Sequence, residues 1–99
     1  MEVEHHFSGG VYAKQCIMQP GIKYEQHIHN FDHMSILSSG TALIEVDGVE
    51  KTLNGPTVIN VEAGKVHSVT PLTEIVWFCI HKTDETNPDN IDETLIHAD

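Results

Sequence analysis

The sequence predicts one all-β domain, a sandwich or barrel, and three observations predict it. Short β-prone segments alternate with Gly, Pro and Asn turn signals about every 8–12 residues, the spacing of sandwiches and barrels. The segment Glu74 to Lys82 (EIVWFCIHK) is apolar on both faces over Ile75 to Ile80, as a strand covered on both sides must be. The chain has 99 residues and no internal repeat, so it forms one barrel rather than two.

The elements follow in order. Residues 1–10 read as a loose arm or an edge strand, and His5 and His6 belong to it rather than to a site. Val11 to Gln19 is β-rich and stops at the turn dipeptide Pro20-Gly21. Lys23 to His29 forms the next strand, and His33 to Ser38 another, broken by Gly40. In Thr41 to Val46, the residues Ala42, Ile44 and Val46 share a parity and face the core, while Thr41 and Glu45 face out. Asp47-Gly48 is a two-residue hairpin signal, and Val49 to Leu53 returns from it. Asn54-Gly55-Pro56 turns the chain into Thr57 to Val61, and Gly64 turns it again into Val66 to Thr70. The barrel ends near Lys82. Residues 83–99 form an acidic tail, in which residues 90–97 make a short helix with Ile91, Leu95 and Ile96 on one side, or stay disordered.

Charge narrows the function. The net charge is −10, from fifteen Asp and Glu against five Lys. Nucleic acid and anionic membrane surfaces are therefore excluded as partners, since both need basic clusters. There is no Arg, so no bidentate clamp on a substrate carboxylate or phosphate exists. No apolar run approaches the roughly 18 residues of a membrane span, and the N-terminus has no signal-peptide pattern. The expectation is cytoplasmic residence. Cys16 and Cys79 read as reduced, buried thiols, with a disulfide as the alternative.

The chemistry lies in the histidines. His27 and His29 are two apart, so an extended strand puts both rings on one face. His33 keeps that parity after Asn30-Phe31-Asp32, and His67 follows the Gly64 turn. Three or four imidazoles meeting this way would share one cation at about 2.0–2.2 Å from each nitrogen. Imidazole suits Fe, Ni, Zn or Cu, with Mn also admitted, whereas Mg and Ca prefer oxygen. Phe31, Ser35, Leu37, Val69 and Trp77 are expected to line a mostly apolar pocket beside the ion, unless side chains fill the barrel. Glu25 shares the parity of His27 and is a candidate acid or base there, with a solvated strand-end carboxylate as the alternative. Tyr24 should then face away. His81 has the parity of Trp77 and Cys79; it is expected to be exposed, with a place behind the metal ligands as the alternative.

These residues resemble the two cupin motifs. In the first motif a Gly is followed by a His-x-His pair, a Glu and a second Gly, and Gly21, His27, His29 and Gly40 match it in spacing. His33 stands at the Glu position. In the second motif Gly64 and His67 match, Glu62 replaces a Pro, Pro71 replaces an Asn, and the leading Gly is displaced by one to Gly55. The resemblance implies a double-stranded β-helix, or jelly-roll, barrel over residues 11–82. It also implies a metal held by His27, His29, His33 and His67 with open positions beside it. Four neutral imidazoles leave a divalent ion its whole formal charge, where a carboxylate would cancel part of it. Such an ion binds anionic ligands more tightly.

Three functions are then open: a mononuclear metal enzyme such as a dioxygenase acting on a small enolisable substrate, a non-catalytic metal-containing ligand-binding barrel, and a barrel with a purely structural metal. Absence of Arg argues against amino-acid thiols as substrates. The two-sided strand Glu74 to Lys82, with Leu43 on the outward parity, predicts a homodimer.

Overall fold

The computed structural model describes residues 1–25 and 32–83, and among them it is all-β. Nine strands occur in order: β1 (Glu2–Ser8), β2 (Val11–Met18), β3 (Tyr24–Glu25), β4 (His33–Ser39), β5 (Thr41–Val46), β6 (Val49–Asn54), β7 (Thr57–Val61), β8 (His67–Pro71) and β9 (Ile75–Lys82). They build two sheets, of order β1-β2-β9-β4-β7 and β3-β8-β5-β6. Every pairing is antiparallel. The chain changes sheets at every connection among these strands except β1–β2 and β5–β6, and the change from β4 to β5 falls at Gly40. No helix of the described residues is long and apolar enough to cross a membrane.

Alternation places the core. Cys16 and Met18 on β2, Leu37 on β4, Ala42 and Ile44 on β5, Val69 on β8, and Ile75, Trp77 and Cys79 on β9 form one buried cluster between the sheets. The Trp77 indole is fully buried, so its N–H needs a partner. It donates to Cys79 Sγ at 3.3 Å, and the buried Ser35 hydroxyl donates to the same sulfur at 3.8 Å. Both cysteines are free thiols.

The turn chemistry is visible in the backbone. Asp47 and Gly48 have φ of 48° and 82°, as a two-residue turn with both central residues left-handed requires. Gly40 sits at φ 88°, and a Cβ there would collide with the Glu74 carbonyl and the Ile75 side chain. The chain changes sheets at Gly40 under the start of β9, and only Gly fits.

Residues 1–10 contribute β1, an edge strand registered along the whole of β2 from Glu2↔Ile17 to Ser8↔Val11. The acidic tail and its expected helix lie outside the described residues, apart from Thr83, whose amide bonds the Gly10 carbonyl.

Candidate metal centre

His33 opens β4 and His67 opens β8, on opposite sheets. Both turn inward and both are buried, at 7% and 2% exposure. Their ring centroids are 6.1 Å apart and their planes tilt by 49°. With metal–nitrogen bonds of about 2.0–2.1 Å, and each nitrogen about 1 Å from its ring centre, two imidazoles on one ion have centroids within roughly 6.5 Å. The observed spacing lies within that limit but above the roughly 4.5–5.2 Å of two imidazoles at right or tetrahedral angles on one ion, so the pair is near a shared site without closing one.

Local contacts hold the two segments together. Asp32, the residue before His33, accepts a 2.8 Å hydrogen bond from the Ala63 amide in the turn before His67. Asp32 is therefore a clamp between the two histidine-bearing segments. In the same turn Lys65 lies 3.5 Å from Glu62 and 3.6 Å from Asp47, and the Asp47 amide bonds the Val66 carbonyl. The β5–β6 hairpin is thereby tied to the turn that aims His67. Each residue stands at the wall of a recess: His33 lines one of about 500 Å³ with Asp32 and Glu62, and His67 a smaller one of about 70 Å³ with Lys23 and Glu25.

His27, His29 and Phe31 lie outside the described residues. Among the described residues no three His, Cys, Asp or Glu side chains form a group that could hold a metal. Ser35, Leu37, Val69 and Trp77 are all fully buried within the interior below the histidines.

Two expectations are corrected. His81 is not exposed: it is 5% accessible, and its ring stacks on His33 at 4.7 Å and 26°. It stands one step beyond the Met34↔Ile80 pair, directly across from His33, so strict alternation from Trp77 and Cys79 was the signal for it. Imidazole lone pairs lie in the ring plane, so two nearly parallel stacked rings do not aim at one ion. His81 therefore braces His33. Tyr12 lies across from His81 on β2 and was not singled out by its sequence context. It is fully buried, stacks on His81 at 6.2 Å and on Phe7 at 5.1 Å, and shares a 2.7 Å hydrogen bond with His5 Nδ1. A row of rings thus runs from the edge strand to the histidine pair.

The second correction concerns β3. Tyr24 packs against the core and Glu25 is exposed, the reverse of the expected parity. The reason is desolvation: an aromatic ring gains by the inward place opposite buried Val69, and an unpaired carboxylate would lose there. Glu25 stands exposed at the rim of the recess beside His67.

Comparison with known proteins agrees with this architecture. The sequence matches no family model and no curated protein. The structure is similar to a Cupin 2 conserved barrel domain protein from Salinispora arenicola, with a TM-score of 0.70, 16% identity, and coverage of 92% of this chain and 79% of that one. It is similar to a cupin superfamily protein from Desulfitobacterium hafniense, with a TM-score of 0.67, 21% identity, and coverage of 84% and 79%. It is also similar to a salicylate 1,2-dioxygenase mutant from Pseudoaminobacter salicylatoxidans, with a TM-score of 0.68 and 11% identity, over 74% of this chain but only 21% of that one. Identities this low speak for fold and not for activity. The two antiparallel sheets, their order and these likenesses together make the chain a barrel of the cupin fold.

Proposed function

We propose that the protein is a mononuclear metal-binding cupin in which His27, His29, His33 and His67 hold one divalent transition ion. The observation that supports this reading is the His33–His67 pair: two buried imidazoles from distant segments, brought within 6.1 Å of each other across the sheets. The ion, one of Fe, Ni, Zn, Cu or Mn, would act as a Lewis acid and bind an anionic ligand or dioxygen.

The reaction class we infer is oxygenation of a small enolisable substrate, and the similarity to a salicylate dioxygenase supports it at the level of the fold. In this reading the chain's own residues have distinct tasks. His81 and Tyr12 keep the His33 ring in one orientation. The Asp32–Ala63 hydrogen bond fixes the spacing of the two histidine segments. Leu37, Val69 and Trp77 exclude water from below. The recesses beside His33 and His67 favour an accessible ion over one sealed in for structure alone. A ligand-binding barrel without turnover would share this geometry, and oxygen consumption separates the two.

The homodimer remains part of the proposal. The outer face of the larger sheet carries a continuous apolar strip: Ile17↔Val76, Ile36↔Phe78 and Met34↔Ile80 are cross-strand neighbours on it. A second copy of the chain would bury that strip.

The test is protein purified without a metal-chelating step, assayed for bound metal and then for oxygen uptake with a panel of diketones and thiols. Metal-dependent uptake with a diketone supports the enzyme. Stoichiometric metal with no uptake across the panel favours the ligand-binding barrel.

A further inference from the structure

A second site opens where the barrel does not close. Strands β6 and β7 are the edges of the two sheets on one side, and they do not pair with each other. Between them runs a cleft of about 400 Å³ walled by Ile44, Val46, Val49, Leu53, Val58 and Ile59. Its volume lies within the range of small-molecule sites.

One residue in this cleft breaks the pattern of its strand. On β6 the residues Val49, Lys51 and Leu53 pair with Val46, Ile44 and Ala42, the inward row of β5. Lys51 thus occupies the row between two apolar neighbours and lines the cleft with them. Its cross-strand partner is the buried Ile44, not an acid. Lys23 and Lys65 have carboxylate partners, whereas Lys51 forms no ion pair among the described residues. The acids Glu45 and Glu50 are paired with each other on the opposite parity, away from the cleft. An ammonium at the rim of an apolar cleft complements a ligand with one negative end and one greasy end.

We infer that this lateral cleft binds a small amphipathic carboxylate, its apolar tail between β6 and β7 and its anionic head on Lys51. The inference goes beyond the proposed metal chemistry and does not depend on it. A peptide strand is a poorer fit, because the charge complementarity is a single cation rather than a row of contacts. A second copy of the chain has its own apolar strip on the larger sheet.

Octanoate, octanol and octylamine titrated calorimetrically against the full chain test this. Octanoate should bind saturably, one per chain, about tenfold more tightly than octanol, and octylamine should not bind. Lys51→Met changes an exposed position and should leave the circular dichroism spectrum intact. It should cut octanoate affinity about tenfold and leave octanol unchanged. The same affinities should hold after treatment with a chelator. Equal binding of octanoate and octanol, no effect of Lys51→Met, or no binding at all would each overturn the inference. So would loss of octanoate binding on chelation, which would place the anion at the histidines. Binding that weakens as the chain self-associates would assign the cleft to a second copy and likewise refute it.

Discussion

His81 offers a sharp test of how the histidine pair is held. The ring is 5% exposed, stacked on His33 at 4.7 Å and on Tyr12 at 6.2 Å. His81→Ala removes a buried ring and two stacking contacts. Stacked pairs contribute about 0.5–1.5 kcal/mol each, and the emptied volume adds to the loss, so a total of about 3 kcal/mol is expected. For a domain of 99 residues that lowers Tm by roughly 12–24 °C. Freed from its brace, His33 should also hold metal about tenfold more weakly, the lower end for a group that orients a ligand. His81→Phe keeps a flat ring of similar size. It should restore stability to within about 1 kcal/mol and metal affinity to within a few-fold. Thermal unfolding and competition with a chromophoric chelator read the two quantities. If Phe stabilises the fold but leaves metal as weakly held as Ala does, then a His81 nitrogen and not its ring does the work. The bracing argument is refuted by that result.

Three further outcomes follow from the same geometry. Gly40→Ala places a Cβ against the Glu74 carbonyl at a positive φ, and should cost about 2–4 kcal/mol in urea unfolding; a loss below about 1 kcal/mol would mean the sheet switch is not tight. His33→Glu should keep the ion but cancel part of its charge, so azide should bind more weakly by spectroscopic titration; tighter azide binding would contradict the charge argument. Phe78→Glu, on the outer strip of β9, should convert the proposed dimer to monomer in light scattering, and an unchanged mass would remove this strip as the interface.

Much of the fold was legible because period-two alternation is a local signal. Ala42, Ile44 and Val46 read inward and are the inward row of β5, with Ala42 and Ile44 fully in the core. Asp47-Gly48 read as the hairpin turn and has the two positive φ values it needs. The first strand was ambiguous for a physical reason. EVEHHFS has only Val3 and Phe7 as apolar residues, with His5 between them on that face, and none of its residues is buried; full registry with β2 orders it. Tyr24 and Glu25 were given reversed directions because their parity was taken from His27, whereas the pairing of Tyr24 with buried Val69 sets it. His81 was hidden by the ordinary expectation that a histidine near a strand end is solvated. Only the cross-strand register, which no single segment encodes, sets it against His33. Likewise the meeting of His33 with His67 depends on two sheets packing, not on either motif alone.

The central claim is that imidazoles from the two sheets share an ion, and elemental analysis of the purified chain tests it most directly. The account predicts about one divalent transition metal per chain in the wild type, and loss of most of it in His67→Ala with the β-sheet spectrum retained. A wild type free of transition metal after growth in metal-replete medium, or a His67→Ala variant that keeps its full complement, would contradict it.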